Sequence, residues 1–500
     1  MFKIPKTMAT QHPDNALAPY WERDGDGFVS AKEEITECVD AFKTLQVEEF
    51  MWDWEGKFTD EAVVDRLFHH HFEYFKQNPL GLEKRLTFRI PNIWHEKGYS
   101  LIRSLMVVLT SEDFARDLNF YSPPLFEVIL PMTENARQLI FIQKSFRELA
   151  KLKSKMFSKF KKNTEHVEII PLFESIETQI NAKKILKTYL KLHKDAFGFN
   201  PPYLRVFIAR SDPAMVSGLV STVLANKIIL SDLRELERET GIRFFPILGA
   251  GSLPFRGALN PRKIKEFDLE YPGLNTITVQ SAFRYDYPLK EVKKAINFYN
   301  KRYHGQSEIV LKKDRKKLIE LIFFFEKEYK RRLDKVIKDM KPIFGAFPRR
   351  RERHLHIGLL SYGRKVNKMV LPRAITFTGS FYSLGIPPEF LGIGAFSKVK
   401  ENDFILINKY YKNYISNLTD AGRFLNWKNL KKIGEENKKW AKIEQDIKKA
   451  EKTLGLTFGP INKEEFEHQK LTGMLLKSKN NHKKVQKLIS QTGVLRKSLG

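Results

Sequence analysis

The chain has 500 residues, of which 42% are hydrophobic and 29% charged, and its formal net charge is +28. This composition excludes a disordered chain, and the length suits one large barrel or two to three domains. The single cysteine, Cys38, excludes an internal disulfide and a cysteine-rich zinc site. The first residues lack an apolar signal segment and no run of about eighteen uncharged apolar residues occurs, so we expect a cytoplasmic protein without a membrane span.

The excess of basic residues allows two interpretations. A basic surface binds polyanions such as nucleic acids, but it also attracts small anionic substrates. The Lys and Arg residues are spread along the chain among Glu and Asp at helical spacing, without a zinc finger or an RNP-type aromatic motif. We therefore expect no nucleic-acid partner, and a basic nucleic-acid-binding protein is the alternative from another functional class.

Short apolar runs rich in β-branched residues alternate with longer amphipathic stretches, which is typical of parallel strands joined by helices. Eight runs are predicted as strands: Glu49–Asp53, Leu86–Pro91, Phe126–Met132, Val167–Glu174, Leu204–Arg210, Arg243–Leu248, Thr276–Ser281 and Ala374–Thr378. Eight strands separated by helices predict an α/β fold, a TIM-type (β/α)8 barrel with additional helices.

The second half of the chain is predicted to be mostly helical. Residues 1–385 would form the catalytic barrel, with a helical insertion at about 289–340 before the eighth strand. Residues 386–500 are Lys-rich and show no strand pattern, so they predict a mostly helical C-terminal extension packed on the barrel.

Two carboxylates stand where neighbouring predicted strands end, which is the edge of a TIM barrel that carries the active site. Glu174 ends the fourth predicted strand, and Asp212 follows the fifth. Mg²⁺ and Mn²⁺ take one or two protein carboxylates, and substrate and water complete their coordination. A single strand-end carboxylate is more often a cap or a surface ion pair, so the metal interpretation depends on the two occurring together.

Arginines and a glycine-rich turn occur at the same strand ends. Arginine binds carboxylate and phosphate oxygens in bidentate fashion, and the turn Gly249-Ala250-Gly251-Ser252 lets backbone N–H groups approach an anion. The arginines at these ends are Arg89, Arg210, Arg256 and Arg284, and Arg373 immediately precedes the eighth predicted strand. The pattern predicts a metal-assisted site for a small phosphorylated or polycarboxylated anion.

The segment Thr10-Gln11-His12-Pro13-Asp14-Asn15 has two interpretations. His12 is a candidate proton carrier, or it is a loop histidine followed by Asp14 as a helix N-cap. The triplet Arg349-Arg350-Arg351 is similarly open, since it either continues a solvated basic face or faces the active site or an anionic effector.

Several segments resemble motifs of phosphoenolpyruvate carboxylase, over roughly residues 4–400. TQHPDN resembles the TAHPTE-type histidine motif, IIPLFESI resembles the PLFET segment, and ARSD is similar to the YSDS segment. The GAGS turn with Arg256 resembles the glycine-rich HGRGGS-x-GRGG loop, and Arg373-Ala374-Ile375 resembles the RAI tripeptide. MWDWEGK, LTFRIPN and IPPEFLG are typical of the short, archaeal-type branch.

The resemblance implies carboxylation of phosphoenolpyruvate with bicarbonate to oxaloacetate and phosphate, by way of carboxyphosphate and enolpyruvate. It implies that Glu174 and Asp212 bind Mg²⁺ or Mn²⁺, and that the chain forms a homo-oligomer, a dimer or a tetramer. The implied catalytic residues are His12, Arg256 and Arg373. The candidate substrate-binding residues are Arg89, Gly251, Ser252, Arg284, Arg364 and Arg210.

The sequence departs from the long-form enzymes in the glycine-rich loop. Leu248 and Ala250 stand where those enzymes have a histidine and an arginine. Arg89, Arg210, Arg284 and Arg364 are candidates to replace the missing charge. Another metal-dependent barrel lyase that acts on phosphoenolpyruvate or pyruvate is the alternative within the same class.

Overall fold

A computed structural model of the chain describes residues 3–22, 24–55, 60–95, 99–156, 165–303, 305–352, 365–366 and 369–500. At its centre eight parallel strands form a closed barrel in chain order. The strands are β1 (Thr7–Thr10), β2 (Glu49–Asp53), β3 (Arg85–Arg89), β4 (Glu127–Leu130), β5 (Glu168–Phe173), β6 (Tyr203–Ala209), β7 (Arg243–Gly249) and β8 (Thr276–Val279). Met8 of β1 lies opposite Glu49 on one side and Thr278 on the other, which closes the barrel. The predicted TIM-type barrel is confirmed.

Helices surround the barrel and form most of the chain after β8. Those up to the last strand are α1 (Glu34–Lys43), α2 (Val63–Gln77), α3 (Tyr99–Asp117), α4 (Ala136–Met156), α5 (Ile176–Ile180), α6 (Ala182–Phe197), α7 (Ser211–Ser217), α8 (Leu219–Thr240) and α9 (Ile264–Glu270). Those after it are α10 (Ser281–Tyr285), α11 (Leu289–Lys301), α12 (Lys312–Val336), α13 (Lys341–Gly345), α14 (Ala374–Leu384), α15 (Glu401–Tyr410), α16 (Tyr414–Gly422), α17 (Trp427–Glu436), α18 (Lys438–Leu454), α19 (Lys463–Lys477) and α20 (His482–Arg496). A small antiparallel pair, β9 (Lys365–Val366) and β10 (Met369–Val370), precedes α14.

The prediction of an eighth strand at Ala374–Thr378 is wrong. These residues begin helix α14, and the strand that completes the barrel is β1, at the other end of the chain. Nearly every residue of α14 is buried, and its sequence AITFTGSFYSL carries no charged residue on any face. Such a short run cannot be distinguished from a buried strand by periodicity. Residues 289–340, which contain α11 and α12, therefore follow the last barrel strand instead of preceding it.

The barrel interior changes from charged to apolar along its axis. At the amino-terminal end of the strands, the guanidinium of Arg205 lies 2.6 Å from a carboxylate oxygen of Glu49 and 2.8 Å from one of Glu127. These buried charges are paired, as a low-dielectric interior requires. Above them an apolar layer fills the barrel: Met8, Met51, Ile129, Ile170, Leu172, Phe207, Ala209 and Ile247. The polar cavity lies beyond this layer, at the carboxyl ends of the strands.

The C-terminal helices bring distant parts of the chain to that end of the barrel. Helix α14 packs against α19 and α20. After α20 the backbone N–H of Leu499 donates a hydrogen bond to the carbonyl of Asp14 at 2.6 Å, and Ser498, Leu499 and Gly500 are buried. The division into a barrel at 1–385 and an extension at 386–500 stays a prediction. Among the residues that the structure describes, no helix has the length and apolarity to cross a membrane.

Candidate active site

A cavity of about 520 Å³ opens at the carboxyl ends of the barrel strands. Six of the predicted site residues line it, although they come from widely separated parts of the sequence. They are His12, Arg89, Glu174, Asp212, Arg256 and Arg373. The side chains of His12, Glu174, Asp212 and Arg373 are partly exposed, so a ligand in the cavity can reach them.

Glu174 and Asp212 provide the two carboxylates. Glu174 follows β5 directly, and Asp212 lies in the first turn of α7, just after the neighbouring strand β6. The backbone N–H of Met132 donates to Oε2 of Glu174 at 2.6 Å and fixes this carboxylate. Within the described residues no three His, Cys, Asp or Glu side chains are grouped as metal ligands. The candidate site therefore consists of two hard oxygen donors, a set that suits Mg²⁺ or Mn²⁺ with water and substrate as further ligands.

His12 stands two residues after β1, the strand that sequence analysis missed. Its ring Nδ1 and the hydroxyl Oγ1 of Thr10 are 2.8 Å apart and share a hydrogen bond. Because this bond engages one ring nitrogen, it orients the imidazole. The backbone of β1 thus places His12 at the same end of the barrel as the two carboxylates.

Arg256 lies at the floor of the cavity and is 1% exposed. Its guanidinium donates hydrogen bonds to Asp14 Oδ2 at 2.9 Å, Ser211 Oγ at 3.2 Å, Gln280 Oε1 at 2.5 Å and the carbonyl of Gly500 at 2.5 Å. Four hydrogen bonds in different directions hold the guanidinium in one orientation. Arg256, paired with Asp14, is therefore held in one position at the cavity wall.

The glycine-rich turn packs behind Arg256. The N–H of Gly251 donates to the carbonyl of Arg256 at 2.8 Å, and a Cβ added at Gly251 would lie only 2.7 Å from Cζ of Arg256. Position 251 therefore requires glycine because the guanidinium of Arg256 approaches it so closely. Sequence analysis had instead attributed the glycines of this turn to the approach of an anion. Gly251 and Ser252 themselves do not line the cavity.

Arg89 and Arg373 bring further positive charge to the wall. Arg89 makes a bidentate pair with Asp53, at 2.9 and 2.6 Å, and lies 3.1 Å from Glu55. Burial disfavours its charged form, but these carboxylates outweigh burial and raise the pKa of Arg89. Arg373 is the N-cap residue of α14 and is partly exposed. The positive charge of Arg89 is thus balanced by Asp53 and Glu55. Arg373 reaches the cavity from the start of α14.

Arg210 and Arg284 do not line the cavity. Nη1 of Arg210 donates to the carbonyl of Phe255 at 3.2 Å, on the far side of the glycine-rich loop. Arg284 is buried and donates to Glu37 at 2.7 Å and to the carbonyl of Thr10 at 2.9 Å. Arg364 lies outside the described residues. The assignment of these three residues to substrate binding stays a prediction.

The triplet Arg349-Arg350-Arg351 lines the cavity opposite the strand ends. Arg350 donates to backbone carbonyls, and Arg351 is paired with Glu34 and Glu37. Arg349 is exposed at the cavity wall. Sequence analysis left the position of this triplet open, because only the tertiary structure brings the segment after α13 over the barrel.

A family model described as phosphoenolpyruvate carboxylase matches residues 4–500. The chain belongs to the phosphoenolpyruvate carboxylase family. The phosphoenolpyruvate carboxylase of Leuconostoc mesenteroides is 44% identical, covering 100% of this chain and 99% of the relative. That of Metallosphaera sedula is 36% identical with full coverage of both chains, and that of Pyrococcus horikoshii is 37% identical over 89% of this chain and 94% of the relative. The relatives match this chain almost end to end, so the resemblance to the short branch is confirmed.

Asp14 differs from the TAHPTE-type motif of the phosphoenolpyruvate carboxylase family, and the structure shows what its carboxylate contacts. It stands where the TAHPTE-type motif has a threonine, and its carboxylate is fully buried against Arg256. Burial raises the pKa of Asp14, and the positive charge of Arg256 opposes that rise. In this chain the histidine motif therefore also supplies the counter-charge of the loop arginine.

Proposed function

We propose that the chain converts phosphoenolpyruvate and bicarbonate into oxaloacetate and phosphate in the cavity at the carboxyl end of the barrel. The observation that carries this proposal is that five motif residues far apart in sequence line one cavity: His12, Glu174, Asp212, Arg256 and Arg373. Relatives that match this chain over its full length bear the name phosphoenolpyruvate carboxylase.

Glu174 and Asp212 would hold Mg²⁺ or Mn²⁺. Both carboxylates are partly exposed in the cavity and lie at neighbouring strand ends, and hard oxygen donors are what these ions prefer. A bound ion would supply Lewis-acid stabilisation of negative charge on substrate oxygens. The hydrogen bond from Met132 to Glu174 leaves that carboxylate little freedom to turn away.

In the first step an oxygen of bicarbonate attacks phosphorus, and the bond from phosphorus to the bridging enol oxygen breaks. The products of this step are carboxyphosphate and the enolate of pyruvate. Arg373, which is partly exposed, would bind phosphoryl or carboxylate oxygens directly. Arg256, held by its four hydrogen bonds, would oppose the developing negative charge without having to reorient.

In the second step His12 takes the proton of the carboxyl group of carboxyphosphate. The bond between the carboxyl carbon and the phosphate oxygen then breaks, which releases CO₂ and phosphate. The methylene carbon of the enolate attacks CO₂ and forms the new C–C bond of oxaloacetate. Water must stay out at this stage, because it would protonate the enolate to pyruvate.

A coupled assay for oxaloacetate tests the proposal. Phosphoenolpyruvate, Mg²⁺ and bicarbonate are omitted in turn, and the proposal requires that each omission abolishes the product. Phosphate release without bicarbonate, or no product from folded and metal-loaded protein, would favour the barrel-lyase alternative or a non-enzymatic role. The expected homo-oligomer, a dimer or a tetramer, is part of the same proposal and is measured by sedimentation equilibrium.

A further inference from the structure

Glu389 is a buried carboxylate that the proposed mechanism does not use. It lies in the short 3₁₀ helix Pro388–Phe390, within the IPPEFLG segment, and is 4% exposed. Its Oε1 accepts a hydrogen bond from the backbone N–H of Phe255 at 2.7 Å and another from the hydroxyl of Tyr382 at 2.6 Å. Its other oxygen, Oε2, is buried and has no hydrogen-bond partner among the residues that the structure describes. Burying a carboxylate in this way is costly, so the position calls for a reason beyond packing.

Arg210 holds the same residue of the loop from the other side. Its Nη1 donates to the carbonyl of Phe255 at 3.2 Å, and its guanidinium is fully buried. Both backbone polar groups of Phe255 are therefore bound by ionisable side chains from outside the loop. Phe255 immediately precedes Arg256, so whatever fixes its backbone also fixes the point from which Arg256 extends.

Glu389 also connects this loop to the helix that carries the other cavity arginine. Tyr382, its second donor, lies on α14, and Arg373 is the N-cap residue of that helix. The ring of Phe255 stacks on Phe377 of the same helix, with centroids 5.9 Å apart and the planes at 27°. The backbone contact and the ring contact together set the distance between the loop and α14.

We infer that Glu389 and Arg210 are positioning residues that clamp the backbone of Phe255 and thereby fix Arg256 relative to Arg373 for the proposed carboxylation. This inference rests on the proposed function and adds to it two residues that act through Arg256. Tight placement matters because a misplacement of about 1 Å in a catalytic group can cost on the order of 10²-fold in rate.

The hydrogen bonds from Phe255 and Tyr382 depend on an acceptor oxygen of Glu389 and not on its negative charge. Burial raises the pKa of Glu389 to about 7, although the hydrogen bonds from Tyr382 and Phe255 and the nearby Arg210 oppose the rise. A proton on Oε2 leaves Oε1 free to accept both hydrogen bonds. Glutamine at this position offers the same acceptor, whereas leucine offers none, and the two substitutions therefore separate positioning from mere filling of space.

The test compares Glu389→Leu with Glu389→Gln in the oxaloacetate assay, with kcat and KM for phosphoenolpyruvate determined separately and thermal unfolding recorded for each variant. The matched control is Asp446→Leu, which removes a buried carboxylate that pairs with Arg332 between α12 and α18. We expect Glu389→Leu to lower kcat at least about 10-fold, Glu389→Gln to restore it to within about threefold, and Asp446→Leu to lose stability but keep kcat.

A double-mutant cycle shows whether Glu389 acts through Arg256. In an Arg256→Ala background, Glu389→Leu should have little further effect on kcat, because the group that it positions is gone. If Glu389→Leu does not fold, Arg210→Met takes its place in the same cycle, with Arg210→Lys as the variant that keeps a donor. Three results would overturn the inference. The first is additive kcat losses in the double-mutant cycle, and the second is an unimpaired kcat in Glu389→Leu or Arg210→Met. The third is a kcat loss equal to that of Asp446→Leu at equal stability. Absence of bicarbonate-dependent product in the unmodified protein would instead overturn the proposed function itself.

Discussion

Asp14 accepts a hydrogen bond from Nη1 of Arg256 at 2.9 Å, and both side chains are shielded from solvent. This contact joins the histidine motif after β1 to the glycine-rich loop after β7. His12 and Arg256, which the proposed mechanism uses in successive steps, are thereby held by one local network. The positions of His12 and of the Arg256 guanidinium are consequently coupled.

Asp14→Asn is expected to weaken both stability and turnover. Breaking a buried ion pair costs about 3–5 kcal/mol, and asparagine keeps the shape but not the charge that holds Arg256. We expect kcat to fall on the order of 10-fold, roughly the effect of 1.4 kcal/mol in the barrier. Oxaloacetate formation and chemical denaturation measure the two effects. Asp446→Asn, which breaks the buried pair with Arg332, is the control and should lose stability only.

His12→Asn is expected to lower kcat by about 10²–10⁴-fold, because a general base contributes on that order. Binding of phosphoenolpyruvate should persist, since the arginines and carboxylates of the cavity remain. Steady-state kinetics and calorimetric titration of phosphoenolpyruvate separate the two. His69→Asn, an exposed histidine on α2, provides the control. Turnover within a few-fold of the unmodified protein would remove His12 from the role of base.

Gly251→Ala is expected to displace the guanidinium of Arg256, because the new Cβ would lie 2.7 Å from its Cζ. The fold should tolerate the change better than the reaction does, since the clash is with the end of one side chain. We expect a loss of kcat on the order of 10²-fold, similar to the loss of one electrostatic donor. Gly345→Ala is the control, since a Cβ there meets no atom of the described part of the chain within 4 Å. Equal activity of the two variants would contradict the expected crowding.

Glu174→Gln and Asp212→Asn are expected to weaken Mn²⁺ binding at least about 10-fold each, because an amide oxygen binds a divalent cation less strongly than a carboxylate does. Electron paramagnetic resonance of free Mn²⁺ measures this without any turnover. Glu134→Gln, an exposed carboxylate paired with His95, should leave the affinity unchanged. Unaltered Mn²⁺ affinity in both site variants would place the metal elsewhere.

Asp286 is expected to make stability depend on pH. Burial raises its pKa from 3.8 to about 8, although its oxygens accept hydrogen bonds from the N–H groups of Ala16 and Leu17. A carboxyl whose pKa is raised by folding contributes its stability below the unfolded pKa, and this contribution is lost as pH rises towards the folded pKa. Between about pH 4 and pH 8 the unfolding free energy of the unmodified protein should therefore fall relative to that of Asp286→Asn. A difference that stays constant across this range would show that Asp286 does not titrate in this way.

Much of the fold and site followed from local patterns. Seven of the barrel strands are apolar runs with polar residues at their carboxyl ends, and TIM-barrel geometry puts those ends together. Glu174 and Asp212 could be paired in this way because they follow consecutive strands of the sequence. The histidine and arginine motifs could be recognised by resemblance, because they are short and contiguous.

The sequence by itself thus predicted the barrel, the family and the two carboxylates that the structure brings to one cavity. Only the tertiary structure decided that β1 closes the barrel and that the run at Ala374–Thr378 belongs to a helix. A short run that is buried on all sides has the same kind of composition whether it forms a helix or a strand. The tertiary structure also decided which arginines face the cavity. Arg210 and Arg284 follow strands, as Arg256 follows β7, but their guanidinium groups donate to Phe255 and Glu37 respectively. The acceptors around a buried guanidinium decide its direction, and these acceptors come from distant segments of the chain.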